Sequence, residues 1–210
     1  MSSSFTLRAK GWRSRVRFFA CVRTAGLGVN IRAPIQIPGV TFQLLKPADF
    51  EMLHNWLCRP HVGEWWGHPA ALAEVEINYL PMTRPESTTR GYIASLERRP
   101  VGFVQSYIVL GSGDGWWPGE TDPGGRGIDQ FLAHPEDLGR GLGSTVIRAF
   151  VAELFRDPLV TKVQADPSPN NERAIRSYLR AGFERQGEIE TPDGPAVLMI
   201  AMRPHPEKRP

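Results

Sequence analysis

The chain has 210 residues, of which 41% are hydrophobic and 22% are charged, and it contains 21 glycines and 19 prolines. This length suits one well-packed domain, and the composition excludes a disordered chain, a collagen-like chain and a disulfide scaffold. No apolar run approaches the roughly 20 residues that a membrane-spanning helix needs. The two cysteines, Cys21 and Cys58, have neither metal-ligand spacing nor a framework pattern. We therefore expect a protein of the reducing cytoplasm, without a metal and without a membrane partner.

The net charge of +3 is unevenly distributed along the chain. Residues 1–39 carry seven basic residues and no acidic one. Residues 40–210 therefore carry 18 basic and 22 acidic residues, a net charge of about −4. An acidic domain favours a cationic partner. We predict a disordered basic extension at residues 1–39, with a transit peptide or a salt-sensitive contact to nucleic acid or ribosomes as alternatives. Residues 40–204 then form the domain, for which no nucleic-acid partner is expected, and residues 205–210 a tail.

The first part of the domain combines helices and strands. Each predicted helix has apolar residues at helical spacing and ends beside a proline, and most of the strands alternate apolar with polar side chains. In chain order we expect a strand at 40–45, helices at 47–60 and 70–80, strands at 91–96 and 101–110 joined by a turn at 98–100, a glycine-rich loop at 111–125 and a strand at 127–133.

The second part begins with a glycine-rich segment, residues 138–143, and a helix that Pro158 ends. A second helix is capped by Asn170 or Asn171 and stops at Gly182. The remaining predicted elements are a strand at 160–165 between these helices and a terminal hairpin with strands at 183–191 and 196–202. Strands that alternate with helices and then close in a hairpin predict a mixed α/β sheet.

Residues 138–143 read Leu-Gly-Arg-Gly-Leu-Gly and precede a predicted helix. Glycines let a ligand approach the backbone closely, and the amides at a helix N-terminus favour an anion. A Walker loop has a Lys-Ser or Lys-Thr pair after its glycines, and no such pair follows here. The dinucleotide fingerprint has an acidic residue further along the chain, and none stands at that distance. The segment therefore predicts a loop that binds phosphate, with an ordinary glycine-rich turn as the alternative.

Together with the next helix, this loop resembles the GCN5-related N-acetyltransferase (GNAT) family. Residues 171–174 read Asn-Glu-Arg-Ala, and Tyr178 is followed by Gly182-Phe183, as in the family, although the family usually has Gln or Arg where Leu138 stands. The resemblance implies an α/β (α+β) fold with a mixed, mostly antiparallel sheet, flanked by helices and splayed at an acetyl-CoA site. It assigns acetyl-CoA contacts to Gln130, Phe131, Leu132, Leu138, Gly139, Arg140, Gly141, Leu142, Gly143, Ser144, Asn171, Arg173 and Tyr178.

Further motifs within residues 40–202 are similar to those of aminoglycoside 6′-N-acetyltransferases. They are Glu64-Trp65-Trp66 and the segments 105–107, 111–117, 127–130, 166–170 and 191–197. The resemblance implies transfer of acetyl from acetyl-CoA to the 6′-amine of an aminoglycoside in the bacterial cytoplasm, which inactivates the antibiotic. It assigns the acceptor pocket to Glu64, Trp65, Trp66, Gln105, Tyr107, Trp116 and Trp117, together with Asp114 and Asp166.

Three carboxylates each have a structural and a functional interpretation. Asp114 lies in a Gly-Asp-Gly turn and bonds its own backbone, or it contacts substrate amines beside two tryptophans. Asp129 is a solvent-facing strand residue, or it is the base-like group that the resemblance assigns to the acceptor amine. Asp166 ends a strand beside the next helix, or it is a third carboxylate of the substrate groove. In the functional interpretation the three together suit a polyamine.

Residues of the last long helix are also open to two interpretations. Tyr178 packs in the core, or, as in the family, donates a proton to the departing CoA thiolate. Asn171 caps the helix, and the family implies that it also touches the pantetheine arm. Arg173, Arg176 and Arg180 share one helix face, which is usually a solvated face, although Arg173 could reach the phosphates of CoA.

Two other functions stay open at this point. A related acyltransferase could modify a siderophore lysine or a protein N-terminus, and an apolar acceptor groove without the three carboxylates would favour it. A non-catalytic CoA-binding module could keep the fold without turnover, and loss of Asp114, Asp129 or Tyr178 would favour it. All three residues are present.

Overall fold

The computed structural model describes residues 39–69, 71–112, 116–117 and 119–204. Asp114, the predicted tail at 205–210 and all of the predicted extension except Gly39 lie outside the described residues. The elements in chain order are β1 Val40–Leu44, α1 Phe50–Leu57, α2 Pro60–Trp66, α3 Leu72–Tyr79, β2 Thr89–Leu96, β3 Arg99–Ile108, β4 Gly125–Leu132, α4 Leu142–Leu154, β5 Lys162–Ala165, α5 Glu172–Arg180, β6 Glu184–Thr191 and β7 Gly194–Met202.

The seven strands form one sheet in the order β1-β2-β3-β4-β5-β7-β6. All neighbouring strands are antiparallel except β4 and β5, which are parallel and are connected through α4. The parallel pair is short, because only Gly125–Gly127 of β4 lie opposite Lys162–Gln164 of β5. Beyond Gly127 the two strands separate, and the sheet opens between them. This arrangement confirms the predicted mixed, mostly antiparallel sheet with splayed strands.

Each face of the sheet is covered by its own apolar cluster. Helices α4 and α5 cover one face, where Ile128 of β4 packs with Val146 and Phe150. Helices α1 to α3 cover the other face, where Phe103 and Phe131 pack with Trp66 and other aromatic side chains. Because successive strand residues point to opposite faces, β4 directs Ile128 toward α4 and Asp129 toward the α1–α3 side.

The structure divides the single helix predicted at residues 47–60. A 3-10 turn at Pro47–Asp49 precedes α1, and a separate helix, α2, begins at Pro60. Arg59 has an extended backbone (φ −72°, ψ 135°), because proline disfavours the helical conformation in the residue before it. Pro60 is therefore the first residue of a new helix, a position that proline favours.

The hairpin between β2 and β3 also differs from the prediction, which placed its turn at residues 98–100. The observed turn is Glu97-Arg98, and both residues have positive φ (48° and 69°), as two-residue hairpin turns require. Pro100 lies inside β3 opposite Ser95, at a register shift in the ladder, where the missing N–H of proline is tolerated.

Arg203 joins the end of β7 to the end of α4, and its replacement is expected to destabilise the protein. The guanidinium donates hydrogen bonds to the carbonyl oxygens of Phe155 (2.7 Å), Val160 (2.6 Å) and Asp157. Arg203→Met should lower the free energy of unfolding by about 2 kcal/mol, a fall in Tm of roughly 4–8 °C. Thermal unfolding measures this, with Arg185→Met as the control because Arg185 forms only an exposed ion pair. Equal Tm values for the two variants would contradict the assignment.

Candidate active site

The loop before α4 has the conformation that its glycines allow. Gly139 and Gly141 have φ of +74° and +84°, in the left-handed region that residues with a side chain rarely adopt. No atom lies within 4 Å of where a Cβ would be at either position, so the requirement for glycine is conformational and the space above the loop is open. The amides of the first turn of α4 face this space, which suits an anion.

A cavity of about 370 Å³, here called the cofactor cavity, lies between this loop, the free end of β4 and α5. It brings together ten of the thirteen residues predicted to contact acetyl-CoA: Gln130, Phe131, Leu132, Leu138, Gly139, Gly141, Gly143, Ser144, Asn171 and Arg173. Asn171 also caps α5, since its Oδ1 accepts a hydrogen bond from the amide of Ala174 at 3.0 Å. Capping and contact with the cavity are therefore compatible.

The other three predicted cofactor contacts do not line this cavity. Arg140 is exposed, and Leu142 packs against the core below α4. Tyr178 is 5% exposed, and its ring packs edge-on against Phe183 with 5.1 Å between centroids. The core-packing interpretation of Tyr178 therefore describes its position, and its role as a proton donor stays a prediction.

The arginine stripe of α5, defined as Arg173, Arg176 and Arg180, lines the cofactor cavity as a whole. The sequence predicts a solvated face, from which Arg173 could reach the phosphates of CoA. All three arginines are exposed, so the face is solvated, and all three also line the cavity. The spacing i, i+3, i+7 was the available signal, but it does not say which neighbour a helix face meets. Three guanidinium groups near the α4 N-terminus form an environment that suits the phosphates of a nucleotide.

A second cavity of about 920 Å³, here called the acceptor groove, adjoins the first. Four carboxylates from separate segments line it: Glu64, Asp129, Asp166 and Asp193. Trp65 and Trp116 add aromatic surface, and among the described residues that line the groove there is no Lys or Arg. Converging carboxylates beside aromatic rings attract cations. Glu64 was expected in the acceptor pocket from the sequence and lines the groove, whereas Asp193 was not among the residues predicted as substrate-binding, although it lies within a motif.

The two cavities meet at β4 and at Trp65. Trp65 lines both, and on β4 Asp129 lines the groove while its neighbour Gln130 lines the cofactor cavity. A carboxylate of β4 thus lies one residue from the lining of the cofactor cavity, where β4 has separated from β5. A group transferred between ligands of the two cavities would pass this point.

Several predicted acceptor-pocket residues lie beneath the groove instead of on its surface. Gln105 and Tyr107 are 0% and 1% exposed on β3, the strand next to β4. Trp117 packs with Tyr107 beside Ile189 of β6 and Leu198 of β7, and Trp66, the last residue of α2, is buried and lines the cofactor cavity. The polar and aromatic character of these residues was visible in the sequence, but the segments that bury them were not.

Buried polar side chains lie on the inner side of Asp129. The Gln105 amide Nε2 donates to Asp129 Oδ2 at 2.8 Å, and Trp66 Nε1 donates to the Tyr79 hydroxyl at 2.8 Å. Burial raises the pKa of Tyr79, the bond from Trp66 opposes this, and the nearby charge of Asp129 raises the pKa further. The phenol therefore stays protonated beside the carboxylate.

The described residues contain no group of three or more His, Cys, Asp or Glu side chains that could hold a metal ion. Among the same residues, no helix has both the length and the apolar character needed to cross a membrane.

The sheet opens beside the glycine loop, and the cofactor cavity, which suits an anion, adjoins the acceptor groove, which suits a cation, at the carboxylate of Asp129. This arrangement defines an enzyme that transfers a group between two ligands. The model of the acetyltransferase (GNAT) domain family matches residues 46–191, and the chain belongs to this family. This confirms the resemblance seen in the sequence.

Relatives and solved structures agree with this assignment. The chain is 55% identical to aminoglycoside N(6')-acetyltransferase type 1 of Klebsiella pneumoniae over 167 residues, which cover 78% of this chain and 83% of that protein. It is 64% identical to a kanamycin resistance protein of Rhizobium radiobacter over 88 residues, which cover 42% of this chain and 82% of that protein. The crystal structure of AAC(6')-Ib in complex with coenzyme A and kanamycin is similar with a TM-score of 0.75 and 55% identity, covering 78% of this chain and 95% of that one.

Proposed function

We propose that this protein transfers the acetyl group of acetyl-CoA to the 6′-amine of aminoglycosides and thereby confers resistance to these antibiotics. The observation that carries the proposal is the acceptor groove, whose four carboxylates and two tryptophans adjoin the cofactor cavity at Asp129. Aminoglycosides carry several ammonium groups, which this arrangement suits. The names of the relatives at 55% and 64% identity support the same substrate class. The proposal takes residues 40–204 as the catalytic domain and places it in the bacterial cytoplasm, where acetyl-CoA is made.

The residues of the cofactor cavity fit acetyl-CoA. The glycine loop and the first turn of α4 would hold the pyrophosphate through backbone amides, and the arginine stripe would neutralise phosphate charge. Gln130, Phe131 and Leu132 on the free end of β4 would contact the arm that carries the acetyl group. Acetyl-CoA supplies an activated acyl group as a thioester.

Asp129 prepares the acceptor amine. An alkylamine is mostly protonated at neutral pH, and it must lose a proton before it can attack a carbonyl carbon. The carboxylate of Asp129 binds the ammonium group and takes up its proton, directly or through a water. Backbone amides of β4 beyond Gly127, where β4 has separated from β5, can donate to the carbonyl oxygen as it gains negative charge.

The charge of the groove also distinguishes this function from the alternatives. An acyltransferase that acts on a siderophore lysine or a protein N-terminus needs to bind one amine, and an apolar groove would favour it. A non-catalytic CoA-binding module needs no carboxylate at the junction of the two cavities. Four carboxylates, one of them at the junction, favour a polycationic acceptor and turnover.

A thiol-release assay tests the proposal. The full chain is incubated with acetyl-CoA and kanamycin, amikacin, gentamicin or a peptide with a free amine. We expect release of free CoA with at least one aminoglycoside and none above background with the peptide. Turnover with the peptide alone would support the alternative acyltransferase, and CoA binding without turnover on any amine would support the non-catalytic module.

The arginine stripe gives a further prediction. Arg180→Gln, and equally Arg176→Gln, should weaken acetyl-CoA binding roughly five- to twenty-fold, because each removes a charge-assisted phosphate contact. Titration calorimetry measures the Kd, and added salt should narrow the difference from wild type. Arg185→Gln on β6 is the matched control, because Arg185 does not line the cavity. An unchanged Kd in both stripe variants would place the phosphates elsewhere.

A further inference from the structure

We infer that Gln105 is a positioning residue for the acetyl transfer: its buried amide fixes the carboxylate of Asp129 in the orientation that accepts the proton of the substrate amine. The inference rests on the proposed function, because it assigns Gln105 a task at that same site. The resemblance placed Gln105 in the acceptor pocket, but Gln105 is 0% exposed and lines neither cavity. It therefore acts on the reaction through Asp129.

The register of the sheet brings the two side chains together. Gln105 of β3 lies directly opposite Asp129 of β4 in the antiparallel ladder, where the Cβ atoms of facing residues are about 5 Å apart. At this separation the amide reaches the carboxylate without distortion, and Nε2 donates to Oδ2 at 2.8 Å. The bond occupies Oδ2, so the second oxygen, Oδ1, is left for a ligand in the groove.

Packing alone does not account for a glutamine at this position. On the same face, β3 carries Phe103 before it and Tyr107 after it, and all three side chains are fully buried or nearly so. Burial of a side-chain amide costs free energy that an apolar residue of similar size would not cost. The hydrogen bond to Asp129 offsets part of this cost, and leucine in place of Gln105 could not make it.

The chemistry of an amide suits this task. An amide N–H cannot be lost near neutral pH, so Gln105 stabilises the negative charge of Asp129 without competing for the proton that Asp129 has to accept. A fixed orientation also matters for rate, because a displacement of about 1 Å in a reacting group can cost about 100-fold. The hydrogen bond from Trp66 to Tyr79 is buried in the same region of the protein.

Gln105→Leu and Gln105→Glu test the inference in the full chain with acetyl-CoA and kanamycin. Both remove the N–H donor. Gln105→Leu leaves an apolar side chain, whereas Gln105→Glu keeps the shape but places a second carboxyl group beside Asp129, with which it competes for the proton. We expect kcat to fall roughly ten- to a hundred-fold in both, while the Kd for acetyl-CoA and the KM for kanamycin change less than about threefold, because Glu64, Asp166 and Asp193 remain. Gln164→Leu, which removes another buried glutamine on β5 (2% exposed), should lower Tm similarly but leave kcat near that of wild type.

A double-mutant cycle separates positioning from a general structural effect. In Asp129→Asn the partner of Gln105 is already inactive, so the addition of Gln105→Leu should lower kcat by less than about twofold more. Losses of kcat that multiply in the double variant would overturn the inference, as would wild-type kcat in Gln105→Leu.

The outcome does not depend on the identity of the acceptor. If wild type acetylates only an amine that is not an aminoglycoside, the proposed function fails, and the same comparison of kcat with that amine still tests Gln105. A crystal structure of Gln105→Leu provides a test without turnover. The inference predicts that the Asp129 carboxylate leaves its wild-type position, and an unmoved carboxylate would overturn it.

Discussion

Asp129→Asn is expected to lower kcat for kanamycin acetylation by about 100- to 10,000-fold, the usual contribution of a general base. The amide has nearly the shape of the carboxylate but cannot accept the proton of the attacking amine. Acetyl-CoA should bind as in wild type, because Asp129 lines the acceptor groove and not the cofactor cavity. Steady-state kinetics and calorimetry with acetyl-CoA measure the two effects separately.

Asp166→Asn and Asp193→Asn are the matched controls for this result. Both carboxylates line the acceptor groove, but neither belongs to β4 at the junction with the cofactor cavity. Each control should raise the KM for kanamycin more than it lowers kcat, because it removes part of the attraction for the ammonium groups. If Asp129→Asn keeps its kcat and raises only KM, Asp129 binds the substrate and another group takes the proton.

Gly127→Ala is expected to have the largest effect on stability, about 3 kcal/mol, since overpacking of a core usually costs 1–3 kcal/mol and occasionally more. A Cβ on Gly127 would lie 2.1 Å from the ring carbons Cε2 and Cζ of Tyr107. The Tyr107 ring is 1% exposed, so it cannot move aside into solvent. Urea unfolding should show a lower midpoint with an unchanged slope.

Gly125→Ala is a control on the same strand and the same face as Gly127. The nearest atom to its added Cβ would be Cε of Lys162 at 3.3 Å, the far part of a flexible side chain, so we expect a loss below about 1 kcal/mol. Tyr107→Leu combined with Gly127→Ala should recover part of the lost stability, because the smaller side chain leaves room for the methyl group. Equal stabilities of the two glycine variants would show that Tyr107 does not restrict this position.

Local sequence signals predicted much of the sheet and the cofactor cavity. The loop conformation at Gly139 and Gly141 and the ends of α5 are set by single residues, so they can be recognised from residue type alone. The same holds for strand alternation, which separates Ile128 from Asp129. Pro60 was recognised as a helix boundary. The sequence alone does not show whether such a proline only ends one helix or also begins the next, as Pro60 does here.

Features that depend on contacts between distant segments were not predictable. Gln105 and Tyr107 stand two residues apart on β3 and therefore share a face, but the sequence does not show which segments bury them, and Tyr107 packs with Trp117 beside β6 and β7. The spacing of Arg176 and Arg180 placed them on one side of α5, but only the packing of α5 against the opened sheet turns that side toward the cofactor cavity. The place of Asp193 in the groove was not predicted for the same reason, since the segments that line the groove meet only in the folded chain.

The position of the acetyl group on the product tests the central claim most directly. Kanamycin is incubated with the full chain and acetyl-CoA, and the product is analysed by mass spectrometry and NMR. We predict one added acetyl group, on the 6′-nitrogen, as the proposed function requires, because Asp129 would bind that amine where the acceptor groove adjoins the cofactor cavity on β4. Acetylation of a different nitrogen, or no acetylated product from kanamycin or from any other aminoglycoside, would contradict the account.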